Sequence, residues 1–140
     1  MLRPQIIVYE RQSKFAPLLR DLTSVERWVL REPRQRPLCW EHIRQLVASV
    51  LLIHVQRPAD GDLEMLQQVA ATCPHVAIVA VGSVEDADTL AMLCWDLGAD
   101  YALFPPLSRD LLPEVVRSLM HRAIQKQSPP VVPGGPVRES

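Results

Sequence analysis

Two six-residue runs, Val50–Val55 and Val76–Val81, constrain this chain more than anything else in it. Apart from His54 every side chain in them is apolar, so neither run has a face that suits water. Both fall far short of the ~20 residues that a membrane-spanning helix needs. Six-residue strands that are apolar on both faces are the mark of a parallel sheet covered by helices above and below. Between them, Asp60-Gly61-Asp62 opens a stretch with Leu63, Leu66, Val69, Ala70 and Cys73 on one helical face. That length and periodicity suit the crossover helix a parallel pair requires.

The same alternation extends along the chain. Gln5–Tyr9 reads as a first strand, and Ser13 caps a helix in which Phe15, Leu18, Leu19 and Leu22 recur at helical spacing. Pro17 falls in its first turn, where a missing N–H costs little. Val25–Arg31 reads as a second strand, followed by a proline-bounded loop and a helix from about Leu38 to Ala48. Ser83-Val84-Glu85-Asp86 has the pattern of a capping box opening a fourth helix, which ends at Gly98. Tyr101–Phe104 is the fifth strand, and Asp110 to about Ile124 the fifth helix. The expected fold is α/β, a doubly wound five-stranded parallel sheet flanked by five helices. One domain is expected over residues 1–124. Residues 125–140, with four prolines and two glycines, are expected to be a disordered tail or a linker.

Composition removes several functions. The net charge of −1 exerts no general pull on nucleic acid, and no basic recognition helix is visible. The charge is unevenly spread: nine Arg/Lys against five acids in residues 1–44, two against ten in 45–114, and four against one in 115–140. A solvated mixed surface accounts for this, and a polarised docking surface is the sharper alternative. Cys39, Cys73 and Cys94 show no CxxC spacing and read as buried reduced thiols. His42, His54, His75 and His121 are scattered, so no metal is expected. No glycine-rich phosphate loop follows the first strand, where the chain runs Glu10-Arg11-Gln12-Ser13-Lys14. The start of the chain lacks a signal-peptide pattern, and the expected location is the cytoplasm.

Leu97-Gly98-Ala99-Asp100-Tyr101-Ala102-Leu103-Phe104-Pro105-Pro106-Leu107 resembles the L-G-A-D-D-Y-L-x-K-P-F segment of response-regulator receiver domains. Leu51-Leu52-Ile53-His54-Val55-Gln56-Arg57-Pro58 resembles their L-L-L-D-x-x-x-P segment, and the order of elements matches over about residues 5–124. The resemblance implies a receiver/flavodoxin-like fold and two-component signal transduction. It also implies a degenerate site. The acidic pair that holds Mg²⁺ falls on Glu10 and Arg11, or on Tyr9 and Glu10 if the frame moves by one. The phosphoacceptor Asp falls on His54, the Thr/Ser after the fourth strand on Val81 (Ser83 lies two residues on), and the Lys after the fifth strand on Pro105. The loop between Pro58 and Gly61 is one residue shorter than usual.

Mg²⁺ takes hard oxygen ligands, and phosphoryl transfer needs cations placed to neutralise the transferring oxygens. A guanidinium and an imidazole now stand at two ligand positions. The chain's two lysines, Lys14 and Lys126, lie far from the fifth strand. The expectation is therefore a phosphorylation-independent pseudo-receiver that is not an enzyme and carries no cofactor. His54 reads as an ordinary surface or half-buried histidine; phosphohistidine chemistry would need an activating base that is not visible. Asp60, Asp62, Glu64, Glu85, Asp86 and Asp88 gather near the same sheet end and read as helix-terminal acids, with cation binding as the alternative.

A protein partner or a second copy is the expected ligand, with no direct nucleic acid and no membrane. In receivers the fourth helix, fifth strand and fifth helix commonly form the dimer or output face. Here Ala87, Leu90, Ala91, Cys94 and Leu97 make a core-facing strip. Met92 and Trp95 make a second apolar strip beside it, which Tyr101 and Arg109 could flank. The alternative function is small-molecule sensing in the pocket at the strand ends around Glu10, His54 and Val81.

Overall fold

The structure of the protein is a computed structural model, and it describes residues 3–127. Five strands, β1 (Gln5–Tyr9), β2 (Val29–Arg31), β3 (Ser49–His54), β4 (Val76–Val81) and β5 (Tyr101–Leu103), form one sheet in the order β2-β1-β3-β4-β5. Every pair is parallel. The helices are α1 (Ala16–Glu26), α2 (Arg36–Ile43), α3 (Asp60–Thr72), α4 (Leu90–Asp96) and α5 (Leu112–Gln127). The expected doubly wound α/β fold is the observed one.

Strand periodicity divides the core into two layers. Ile6, Val8, Val50, Leu52, Val79, Val81 and Leu103 point to one side. There they meet Phe15, Leu19 and Leu22 before and along α1, and Val116, Leu119 and Met120 of α5. Ile7, Leu51, Ile53, Ile78, Ala80 and Ala102 point to the other, against Cys39 and Ile43 of α2, Met65, Leu66 and Val69 of α3, and Leu90 and Cys94 of α4. All six residues of β3 are buried, which is why Val50–Ile53 is apolar on both faces, with Ser49 and His54 at the strand's ends.

Several element boundaries differ from the sequence expectation. The stretch Val25–Arg31 is not one strand: α1 continues to Glu26, Arg27 turns the chain with a left-handed φ of 60°, and β2 begins at Val29. Val25 is a β-branched residue on the solvent side of the helix, so its type misdirects the reading. The second helix stops at Ile43 rather than Ala48, and Leu46 takes a left-handed φ of 58° in the turn that follows. Ser83 does not open an α-helix. A single 3-10 turn, Val84–Asp86, intervenes before α4, and Ser83 supplies no side-chain cap to it. Ser13 does not cap α1 either; its Oγ donates to Glu32 Oε1 at 3.4 Å. The fifth helix is preceded by a 3-10 turn, Arg109–Leu111, and runs to Gln127, three residues past the expected domain boundary. Residues 128–140, the remainder of the expected tail, lie outside the described residues.

Gly98 is where backbone freedom is required. It ends α4 at a φ of 113°, and a Cβ there would sit 2.5 Å from Ala70 Cβ on α3. Among the described residues no helix is long and apolar enough to cross a membrane.

Candidate functional site at the carboxyl edge of the sheet

In a doubly wound sheet the strand order reverses at one point, and the crevice there opens at the carboxyl ends of the strands. Here the reversal lies between β1 and β3. Tyr9, Glu10 and Arg11 leave the sheet from β1, and His54 ends β3. They border a cleft of about 400 Å³ whose other walls are Arg34 and Arg36 from the β2–α2 segment, and Pro58, Asp60, Gly61 and Asp62 from the start of α3.

Glu10 has a structural task. Its buried carboxylate faces the start of α1, where the N–H groups of Lys14 (2.9 Å) and Phe15 (3.1 Å) donate to Oε1 and that of Ala16 (3.1 Å) donates to Oε2. A helix leaves its first N–H groups without internal partners, and an anion there also complements the helix dipole. The carboxylate of Glu10 therefore replaces the side-chain cap that Phe15, the residue at the N-cap, cannot provide. Its backbone oxygen accepts from Arg34 Nη1 at 3.0 Å, tying the β2–α2 segment to the end of β1. Arg11 reaches across the cleft: Nη2 donates to the Pro58 carbonyl at 3.4 Å and lies 3.7 Å from Asp62 Oδ2. Asp62 is buried and accepts from the Gln56 N–H at 3.3 Å. Burial raises its carboxyl above the usual range, opposed by that hydrogen bond and by Arg11 and Arg36.

His54 is not a surface or half-buried side chain. It is 7% exposed, and its Nδ1 has no hydrogen-bond partner among the described residues. The ring of Phe15 meets it edge-on with centroids 4.9 Å apart, and the Arg109 guanidinium lies 5.3 Å from the centroid of the same Phe15 ring. Burial pushes the imidazole down to about 4; Glu10 opposes this, while Lys14, Arg11 and Arg109 add to it. At ordinary pH His54 is thus neutral.

The structure brings Glu10, Arg11 and His54 to one cleft and leaves two of the five positions named from the resemblance outside its lining. Val81 pairs with His54 across β3–β4, but its side chain is buried in the α1/α5 layer. Pro105 lines a small separate recess with Phe15, Gly82, Leu103, Leu107 and Arg109. At the other candidate surface, Met92 is 65% and Trp95 48% exposed on α4, and Trp95 packs edge-on against Tyr101 at 5.8 Å. The strip is open rather than covered by β5 and its loop. Arg109 lies over the Phe15 ring, beside the recess that holds Pro105. Leu90 and Cys94 are buried, with Ala87, Ala91 and Leu97 packed beside them. Among the described residues no group of three or more His, Cys, Asp or Glu is placed to hold a metal ion.

Sequence reasoning passed over Arg34 and Arg36, met Tyr9 only as an alternative frame for the acidic pair, and met Phe15 only as part of a helix face. The run Arg31-Glu32-Pro33-Arg34-Gln35-Arg36-Pro37 held a signal in its alternating arginines, within the basic first third of the chain.

No protein-family model and no curated protein matches the sequence. Solved structures do. The signal receiver domain of an HD domain-containing protein from Pseudomonas fluorescens Pf-5 superposes with a TM-score of 0.72 at 14% identity, over 91% of this chain and 93% of that one. The response regulator StyR gives 0.70 at 17% identity over 89% of this chain, which spans 63% of StyR. An adenylate cyclase structure from Rhodopirellula baltica gives 0.69 at 12% identity, over 89% and 93% of the two chains. At these identities the likeness is one of fold: the chain has the fold of response-regulator receiver domains.

Proposed function

We propose that this domain is a regulatory protein-interaction module of two-component type that works without aspartyl phosphorylation and catalyses no reaction. The observation that carries the proposal is the commitment of Glu10. Its carboxylate oxygens are occupied by the Lys14, Phe15 and Ala16 N–H groups, so the single acid near the end of β1 serves the helix rather than a cation. The position that resembles the family's phosphoacceptor carries a buried neutral imidazole, and the position that resembles its lysine carries Pro105. Mg²⁺ would meet three arginines beside the carboxylates of the cleft, of which Glu10 is taken up by backbone N–H groups and Asp62 by the Gln56 N–H and Arg11.

The proposed partner is another protein or a second copy, docked on α4 and β5 through Met92, Trp95 and Tyr101, with α5 completing the face. An amide NMR titration with Mg²⁺ and then beryllofluoride tests the phosphorylation-independent reading. The expected result is no saturable shift at Glu10, His54 or Val81; specific shifts at these residues would overturn it. A second reading, small-molecule sensing, is favoured by one feature, the 400 Å³ cleft with three arginines on its walls.

A further inference from the structure

We propose that the cleft at the β1/β3 switch point binds a phosphate monoester or inorganic phosphate non-covalently, held by Arg34 and Arg36 with Arg11 opposite and His54 at the wall. The inference deepens the sensing reading and rests on it.

The first support is the balance of charges. Arg11, Arg34 and Arg36 line the cleft with Glu10, Asp60 and Asp62. Glu10 is taken up by backbone N–H groups, and Asp62 by the Gln56 N–H and Arg11. Arg34 and Arg36 have no carboxylate within 4.0 Å among the described residues. Arg34 spends one donor on the Glu10 carbonyl, and a guanidinium has five. Two forked cations outside any ion pair within 4.0 Å among the described residues therefore border an open space, which Asp60 and Asp62 also line. Doubly charged phosphate suits two forks and a third cation; a lone carboxylate would occupy only one.

A second, independent observation lies in the wall. His54 is more than nine-tenths buried and lines the cleft, and its Nδ1 is unpartnered. Buried polar atoms are nearly always satisfied, and this one, enclosed at the cleft wall, is left without a partner among the described residues. The third is the start of α2. Its first residue is Arg36, and Gln35 at the N-cap makes no side-chain cap bond. Such an end favours anions. The cleft volume of about 400 Å³ lies in the range of small-molecule sites and exceeds what inorganic phosphate alone would fill.

Isothermal titration calorimetry and amide NMR on the full chain test this, with EDTA present so that no metal takes part. The probes are inorganic phosphate, ribose 5-phosphate and adenosine 5′-monophosphate, with adenosine as the uncharged control. The expected result is saturable binding of a phosphate-bearing probe with shifts at Arg34, Arg36 and His54, and none from adenosine. Arg34→Ala/Arg36→Ala should weaken it at least tenfold, whereas Arg122→Ala on α5 should leave it unchanged. Esters binding more tightly than inorganic phosphate would identify an ester as the ligand; equal binding would identify the free anion. Absence of saturable binding at millimolar probe, or equal binding by the double arginine variant, overturns the proposal. A separate titration with carboxylates and uncharged metabolites then distinguishes failure of the phosphate assignment from failure of the sensing reading. A saturable shift at the cleft from any of these preserves the sensing reading; a flat response removes both.

Discussion

Protonating His54 should destabilise the protein, by an amount that follows from its burial. The imidazole is held at about 4 against an ordinary value of 6.5, because it is desolvated beside Phe15 and faces Lys14, Arg11 and Arg109, with Glu10 the single opposing charge. Between these values the unfolded chain binds the proton and the folded chain does not, so folding loses stability as pH falls. The contribution is complete above about pH 6.5, declines through the window and is fully lost below about 4. Two and a half pKa units at ~1.4 kcal/mol each come to between about 3 and 4 kcal/mol, of which about 3 is lost by pH 4. Urea unfolding followed by circular dichroism, at half-unit pH steps from 7.5 to 4, measures this for the wild type and His54→Asn. Asp62 and the other carboxylates titrate in both proteins and cancel in the difference. The gap between the two stabilities should shift by about 3 kcal/mol in favour of His54→Asn as pH falls. Parallel pH profiles, or an NMR titration of His54 with its midpoint near 6.5, would refute the reasoning.

Three further outcomes follow from the geometry. Glu10→Ala leaves the first N–H groups of α1 without their acceptor and should cost about 2 kcal/mol, read as a lower urea midpoint; an unchanged midpoint would mean that water caps the helix as well. Cys39 and Cys94 are buried, and burial pushes their thiols up to about 12 and about 11, while Cys73 is partly exposed. A thiol reagent should therefore modify one cysteine quickly in the native protein and three in urea, and fast reaction of all three would contradict the packing. If the α4 face joins two copies, sedimentation should find wild-type self-association that Trp95→Glu abolishes at nearly unchanged stability; a wild-type monomer at high concentration removes that interface.

The sheet was legible in the sequence because parallel strands buried on both faces have room for few polar residues, and β3 and β4 announce themselves by their apolar runs, with Ser49 and His54 at the two ends of β3. The weaker elements were not. The strand β2 is three half-buried residues at the sheet edge, and the exposed Val25 blurred its boundary with α1. The capping pattern at Ser83 leads into a 3-10 turn rather than an α-helix, and the Ser83 side chain makes no cap bond to it. At the site, residue types at the resemblance positions could be read, but their duties could not. Glu10 caps a helix from five positions ahead of its N-cap, Phe15, a spacing outside the ordinary cap signals. The burial of His54 depends on Phe15, and the arginines of the cleft arrive from a neighbouring β–α unit across the switch point. These are facts of spatial adjacency, which periodicity does not carry.

The carboxylate of Glu10 also sets the order in which this site could change. Placing Asp at position 54 and Lys at position 105 would supply two residue types of a receiver's phosphorylation site, yet Glu10 would still be held by three backbone N–H groups. Drawing it outward toward a cation would unfasten the start of α1, so each gain in metal affinity would be offset by fraying of the helix. The new Asp would meanwhile stand close to Glu10 with no cation between them. Substitutions at 10, 54 and 105 are therefore epistatic, and their effects should not add. A lineage or an engineer moving from this site toward a phosphorylatable one would have to supply α1 with another cap first.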